Sequence, residues 1–399
     1  MCTWREKRLG DYISINPATL TVAKYNGSIQ YIDISSVSVG QLYGYAEYDI
    51  NDAPSRARRI IQPNDIIFST VRPNLRAYYY VKECPTNAIC STGFAVLRAK
   101  KNANSRFIYY LVTEKSFVDY LSLVAKGSAY PAVDTNDFKK AKVSIPDLPT
   151  QQRIADILST YDDLIENNNK RIALLEKAAQ ELYKEWFVRF RFPGHETTRF
   201  VNGLPEGWTR KKISEFYNTC SGGTPSRSKP EYYENGVYPW VKTGEIKDSI
   251  IIDAEEYITE NAIRNSSAKL LPAKSVVMAM YGVNIGMLAY FDQEMTCNQA
   301  CCVFSDKRKF SSRHYLFQYL LSIREYLLLI GFGAAQQNLS QDLIKRVKIL
   351  MPTDGLVTAF EKKVDDYYES IRNLMMCNQN LTKQRDLLLP RLMSGKLEV

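Results

Sequence analysis

The chain has 399 residues, 45% of them hydrophobic and 24% charged. These are ordinary globular proportions, which exclude a disordered or collagen-like chain and leave room for two to four domains at about 100–200 residues each. Lys and Arg number 52 against 43 Asp and Glu, a net charge of +9 that favours a polyanionic partner without requiring one.

In chain order, the first ten residues carry three Lys/Arg ahead of any apolar run, which does not read as a signal peptide. Residues 1–149 read as a strand-rich domain. Its β-branched and aromatic runs at Asp65–Val71, Ala77–Lys82 and Phe94–Leu97 are broken by Gly, Pro and Asn. A helix is expected near Arg106–Val124, then a short strand ending at Pro146. Arg56, Arg58, Arg59, Arg72 and Arg76 fall in 21 residues whose single acidic residue is Asp65. Arginine pairs bidentately with guanine or phosphate, so these are candidate nucleic-acid contacts; a solvated basic face is the alternative. Lys126, Gly127, Ser128 and Tyr130 form a further candidate loop before the last strand.

A long helix is expected over 150–192. Residues 193–352 then repeat the first pattern, with runs at Ser275–Tyr281, Met287–Phe291 and Cys301–Phe304, a helix near Arg313–Ile330 and a strand ending at Pro352. Gly222-Gly223-Thr224-Pro225 either cradles an anion through its backbone N–H groups or is a plain turn. Thr224, Arg227, Lys229, Lys242, Thr243, Tyr281 and Asn284 are loop candidates for nucleic-acid contact. Gln336, Gln337 and Asn338 suit bidentate contact with adenine, with turn and capping chemistry as the alternative. A second long helix is expected over 353–399.

The halves are related by a constant offset. Adding 206 carries Gly127, Ala129, Lys139, Lys142 and Pro146 onto Gly333, Ala335, Lys345, Lys348 and Pro352. It also carries Tyr161, Ile165, Leu175, Lys177 and Leu182 onto Tyr367, Ile371, Leu381, Lys383 and Leu388. A domain-plus-helix unit has been duplicated. In the first helix Ile154, Leu158, Tyr161, Ile165, Asn168, Ile172, Leu175, Ala179, Leu182 and Trp186 step by four and three in alternation. Phe360, Val364, Tyr367, Ile371, Leu374, Asn378, Leu381, Arg385, Leu388 and Leu392 do the same in the second. That spacing keeps one seam facing a partner helix over about 50 Å, and the simplest partner for each is the other. Placing the seam's two asparagines, Asn168 and Asn378, opposite each other fixes an antiparallel register that sets Trp186 against Phe360 and Tyr161 against Arg385; the alternative is that each asparagine points to solvent at a local break in the seam. The expected fold is therefore α+β: two strand-rich α/β domains separated by two long antiparallel coiled-coil helices, an internal pseudo-twofold repeat.

Catalytic motifs are missing. The two histidines, His195 and His314, leave little room for histidine chemistry. No cysteine pair has zinc-knuckle spacing, so no metal site is expected. Cys297, Cys301 and Cys302 read as buried free thiols, which fit a reducing compartment. There is no Walker loop, no Gly-rich dinucleotide fingerprint and no Asn-Pro-Pro-aromatic motif. Glu245-Ile-Lys247 has a nuclease-like spacing but no Pro-Asp partner upstream, and reads as a surface pair. The longest uncharged stretch, Ser275 to Phe291, is too short and too interrupted by Gly282, Asn284 and Gly286 to span a bilayer. A cytoplasmic protein is expected.

Leu148-Pro-Thr-Gln-Gln-Arg-Ile-Ala-Asp-Ile-Leu158, continuing through Asn167-Asn-Asn169 and Leu182-Tyr-Lys-Glu-Trp-Phe-Val-Arg-Phe-Arg-Phe-Pro-Gly194, resembles the central region of type I restriction–modification specificity subunits. So do Leu204-Pro-Glu-Gly-Trp208 and the closing Leu387-Leu-Leu-Pro-Arg-Leu-Met-Ser-Gly-Lys-Leu397. The resemblance implies that residues 1–149 and 193–352 are target recognition domains, each reading one half of a bipartite, asymmetric site in double-stranded DNA. It implies that the helices set the gap, and that the chain recruits two methylation subunits and, in restriction complexes, two restriction subunits. S-adenosylmethionine, ATP and Mg are then expected on those partners, with no cofactor and no catalysis on this chain. Two alternatives stay open: a coiled-coil interaction scaffold without DNA specificity, and the corresponding subunit of a methyltransferase that lacks a nuclease partner.

Overall fold

The computed structural model describes residues 4–21, 25–127, 130–331 and 338–399. It divides into two compact units, one of residues 1–166 with 379–399 and one of residues 167–378.

The first unit is built on two four-stranded sheets. One has the order Ala46–Asp49, Ser28–Ile32, Ala88–Ser91, Ala57–Ile60, and the other Ile13–Ile15, Phe94–Ala99, Asp65–Ser69, Tyr78–Tyr80. Strand Asp65–Ser69 is buried along its whole length. Asp65 therefore has no solvent to stabilise its charge, and Arg98 pairs with both of its carboxylate oxygens at 2.7 Å. The sole acid among the five clustered arginines is thus committed to an arginine outside the cluster. The helix expected over 106–124 is broken into Ser105–Thr113 and Lys115–Val124, because Glu114 adopts an extended conformation and its carboxylate caps the second segment at the Ser116 N–H. Capping chemistry here overrides an apolar period that reads as continuous.

The second unit repeats this plan with a five-stranded sheet, Tyr217–Ser221, Cys301–Asp306, Val276–Ala279, Leu288–Phe291, Ser249–Ile251, and a three-stranded one, Tyr257–Ile258, Tyr238–Val241, Thr296–Cys297. Both units hold a parallel strand pair, Ala88–Cys90 with Gln30–Ile32 and Trp240–Val241 with Thr296–Cys297. Both fasten an early strand to the strand preceding a long helix, Arg5↔Ile145 in one and Thr209↔Met351 in the other. The fold is α+β with two repeated domains. Cys90, Cys297, Cys301 and Cys302 are buried free thiols. Among the described residues no helix is long and apolar enough to cross a membrane.

The long helices run Leu148–Tyr183 and Asp354–Met393. Asp147 opens the first by accepting the Thr150 N–H at 3.1 Å, and Pro149 sits in the first turn, where its missing N–H costs nothing. A π-turn, Lys184–Val188, closes it. All ten stripe residues of each helix are buried or half-buried. In the second unit the Trp186 and Phe360 rings lie 5.9 Å apart, and Asn168 Nδ2 donates to Asn378 Oδ1 at 2.9 Å, so the helix segments there run antiparallel. Asn378 Nδ2 in turn donates to Asn169 Oδ1 at 2.9 Å. In the first unit Arg385 pairs with Asp162, the neighbour of Tyr161, at 2.6 Å. The guanidinium therefore finds a carboxylate that also accepts the Tyr110 hydroxyl at 2.6 Å.

Candidate nucleic-acid interface

In the first unit several strand ends converge on one set of loops. The hairpin joining Asp65–Ser69 to Tyr78–Tyr80 is tied at its base by Thr70 N–H to Gly93 O at 2.8 Å and by Val133 N–H to Thr70 O at 2.9 Å. Arg72 N–H donates to Pro131 O at 2.7 Å, and its guanidinium lies 4.8 Å over the Tyr130 ring. Tyr130 is 70% exposed. Two expected contacts, Arg72 and Tyr130, thereby form one feature, a cation on an aromatic face. Arg56 is exposed on the adjoining turn, its carbonyl accepting the Thr92 N–H at 2.8 Å. Lys126 is exposed, its backbone bridged both ways to Ala132. Ser128 lies outside the described residues.

The remaining arginines do not join a single basic patch. Arg58 and Arg59 lie on edge strand Ala57–Ile60, where Arg58 Nη1 folds back to Ala57 O at 2.8 Å and Arg59 Nη1 reaches Thr19 Oγ1 at 3.5 Å. Arg76 is half-buried, donating to the Tyr78 hydroxyl at 2.9 Å and Thr113 O at 3.3 Å. Arg59 and Arg76 thus reach distant parts of the chain while Arg58 bonds its own strand, uses that counting charges along the sequence does not distinguish from display.

The same loop set recurs in the second unit. The hairpin between Val276–Ala279 and Leu288–Phe291 is anchored by Met280 N–H to Ala300 O and Leu339 N–H to Met280 O, both 2.8 Å, the counterparts of the two bonds at Thr70. Half-buried Tyr281 follows Met280, and exposed Asn338 precedes Leu339, so the structure brings these two candidates together. Gln336 and Gln337 lie outside the described residues. Thr243 belongs to a short turn, Thr243–Glu245, clamped by Asn284, whose amide donates to the carbonyls of Thr243 (3.0 Å), Gly244 (3.3 Å) and Ile246 (3.1 Å). Asn284 Nδ2 is therefore spent inside the loop.

The remaining candidates of this unit, Thr224, Arg227, Lys229 and Lys242, have partners within the fold. Arg227 pairs with Glu256 at 2.6 Å, over the rings of Tyr233 and Trp240, and Lys242 pairs with Glu255 at 3.2 Å and Glu256 at 3.0 Å. The Glu256 hydrogen bond raises the Lys242 pKa against a desolvation that lowers it. Two cations facing two carboxylates leave this corner with little positive field. Lys229 donates to the Tyr232 hydroxyl at 3.1 Å, and exposed Thr224 bonds Gln299. The Gly223 N–H donates to Cys297 O at 2.8 Å. A Cβ on Gly222 would sit 2.0 Å from Cys297 O and one on Gly223 2.2 Å from Ser267 O, so both glycines serve close backbone packing. Glu245 is a backbone cap, accepting the N–H groups of Lys242 and Glu255 at 2.9 Å each.

The family model described as the type I restriction modification DNA specificity domain matches residues 1–177 and 205–355. The specificity subunit of the type I restriction enzyme HindI from Haemophilus influenzae is 26% identical, with 100% of both chains covered. That of MjaIX from Methanocaldococcus jannaschii is 28% identical over 80% of this chain and 75% of its own. The crystal structure of a type I restriction-modification S subunit from M. genitalium superposes with a TM-score of 0.62 at 14% identity, covering 98% of this chain and 96% of that one, a likeness of fold.

Proposed function

This chain belongs to the type I restriction modification DNA specificity family, and from that premise we propose that its two domains read the two halves of a bipartite, asymmetric site in double-stranded DNA. The paired long helices set the gap between the half-sites. The chain acts without catalysis or cofactor of its own, in the cytoplasm. It recruits two methylation subunits, which carry S-adenosylmethionine, and in a restriction complex two restriction subunits, which carry ATP and Mg.

The observation that supports this reading best is the recurrence of one loop set on two copies of one fold with different side chains. Beside the tie at Thr70 stands Arg72 over Tyr130, and beside the equivalent tie at Met280 stand Tyr281 and Asn338. A conserved scaffold with divergent loop chemistry is what two unlike half-sites require, since phosphate contacts position a protein and base-edge contacts specify. Methylome sequencing of cells expressing this chain with its methylation partner tests it. The expected pattern is two short motifs at one fixed gap. A contiguous motif, or methylation independent of sequence, would overturn the proposal. Binding of the methylation complex to random duplex at two salt concentrations separates it from a protein scaffold, which has no salt-dependent affinity for DNA.

A further inference from the structure

The central hairpins of the two units share one backbone. Ile66↔Tyr80 and Phe68↔Tyr78 in the first recur as Val276↔Tyr290 and Met278↔Leu288 in the second, so the two loops have the same length. Leu75 N–H closes the first loop on Arg72 O at 2.9 Å, and Ile285 N–H closes the second on Gly282 O at 3.2 Å. The same two places of each loop are left-handed. Gly282 and Gly286 take φ of 89° and 78°, and their counterparts Arg72 and Arg76 take 48° and 57°. Glycine enters this region without strain, whereas a long side chain is rare there. The first unit therefore keeps two arginines where the second makes the same turn with glycine. Strain that persists against an unstrained alternative points to a use for the side chain.

For Arg76 the use lies inside the fold. It donates to the Tyr78 hydroxyl at 2.9 Å and to Thr113 O at 3.3 Å, which ties the hairpin to the break between helices Ser105–Thr113 and Lys115–Val124. The second unit makes this tie from the other side. Arg324 opens the helix that follows the equivalent break, donates to Gly286 O at 2.9 Å and pairs with Asp248. With the donor on the helix, the hairpin position can be glycine. Arg72 is different. It is exposed, and its guanidinium lies 4.8 Å over the ring of Tyr130, itself 70% exposed. The bonds at the hairpin base, Thr70 N–H to Gly93 O and Met280 N–H to Ala300 O, are both 2.8 Å. The turn thus forms whether or not a side chain stands at this place.

We infer that Arg72 is a specificity-determining residue that reads a guanine in the half-site of the first unit, its fork held in plane by Tyr130. The inference rests on the DNA-reading assignment above. Of the four bases only guanine presents two acceptors, O6 and N7, side by side in the major groove, and arginine only donates. The paired contact requires the guanidinium plane to match the base plane, and stacking on a ring restrains that plane in advance. A phosphate oxygen accepts from many directions, so a flexible cation on unstrained backbone would serve it equally.

The test uses the chain assembled with its methylation subunits. Methylome sequencing first supplies both half-sites. Duplexes with each guanine replaced in turn by 7-deazaguanine, which exchanges N7 for C–H and keeps base pairing, then compete for binding. In the wild type one replacement in one half-site weakens binding by about tenfold. Arg72→Gly and Arg72→Lys both lose that response and leave those of the other half-site unchanged. Arg72→Lys keeps the charge, and with it the salt dependence of binding. Arg72→Gly relieves the strain and melts at or above the wild-type temperature, so its loss of reading does not come from a damaged fold. A 7-deazaguanine profile in R72K equal to that of wild type would overturn the inference. So would half-sites without a G·C pair, or a wild type indifferent to every replacement. An R72G whose salt slope drops by about one with its profile intact would make the contact a phosphate one. An R72G that melts below wild type would make the arginine a support of the fold, and the inference would fall. Methylation without any sequence preference would instead remove the DNA-reading assignment itself.

Discussion

Replacing Asn168 and Asn378 by leucine, singly and together, probes what sets the helix register. Asn168 is 7% exposed and its amide donates to Asn378 Oδ1 at 2.9 Å. Asn378→Leu leaves that buried amide without its acceptor, at about 1–3 kcal/mol. Asn168→Leu strands only the half-buried Asn378, which keeps its bond to the exposed Asn169, so the cost falls near the lower end, about 1 kcal/mol. The double variant removes both polar groups and leaves an apolar layer beside Ile172 and Leu374, with stability at or above that of the wild type. The expected coupling is about 2 kcal/mol, or about 4–8 °C in melting temperature for a domain of 150–250 residues. Three of the four tryptophans, Trp186, Trp208 and Trp240, lie in the unit that holds the pair, so their fluorescence during urea unfolding follows it. Single-variant effects that add to the double within about 0.3–0.5 kcal/mol would show that the asparagines do not interact, and the register argument would fall.

Inserting seven residues after Ile172 and seven before Leu374 should lengthen the paired helices by about 10 Å and widen the methylated gap by about 3 base pairs at 3.4 Å each; an unchanged gap in the methylome would show that the helices do not set it. Replacing Gln336, Gln337 and Asn338 together by alanine should cost about 1–3 kcal/mol of discrimination at one half-site per lost bidentate contact, whereas a smaller salt slope with specificity intact would assign the loop to phosphate. Glu361 is buried, and burial outweighs the His314 and Tyr315 N–H bonds it accepts, pushing its pKa up to about 8. A raised folded pKa gives stability that is present below about 4.5 and lost as pH rises through 8. Burial lowers His314 to about 4, so its opposite effect ends near 6.5. From pH 6.5 to 8 the stability of this unit should therefore fall, by at most about 2 kcal/mol, and thermal melts of Glu361→Gln should be flat over that window; a wild type equally flat would refute it.

The long helices and the repeat were legible because both are written in local spacing. A stripe that steps by four and three needs no knowledge of distant residues, and both stripes are covered along their length. The breaks at Glu114 and Ile323 were not legible. At Glu114 a single residue exchanges one helical hydrogen-bond pattern for a cap while the apolar period continues past it; at Ile323 the second helix interrupts in the same place of the repeat.

Charge was the least legible property, for a reason that particular residues expose. Asp65 lies within the run of arginines, yet its partner is Arg98, brought alongside by the antiparallel pairing of their strands. Arg227 and Lys242 precede their carboxylates by 13 to 29 residues, and a β-pairing that bonds Trp240 N–H to Glu256 O at 2.8 Å delivers Glu256 to both. A window of sequence counts each cation as available; the sheet decides which ones are. The central hairpins of the two units show the converse. The offset of 206 that relates the halves elsewhere does not align them, whereas the strand registers do, carrying Ile66↔Tyr80 onto Val276↔Tyr290 at an offset of 210. In a fold that repeats its scaffold and varies its loops, the strand ends on which a loop is mounted locate its counterpart better than the composition of the loop does.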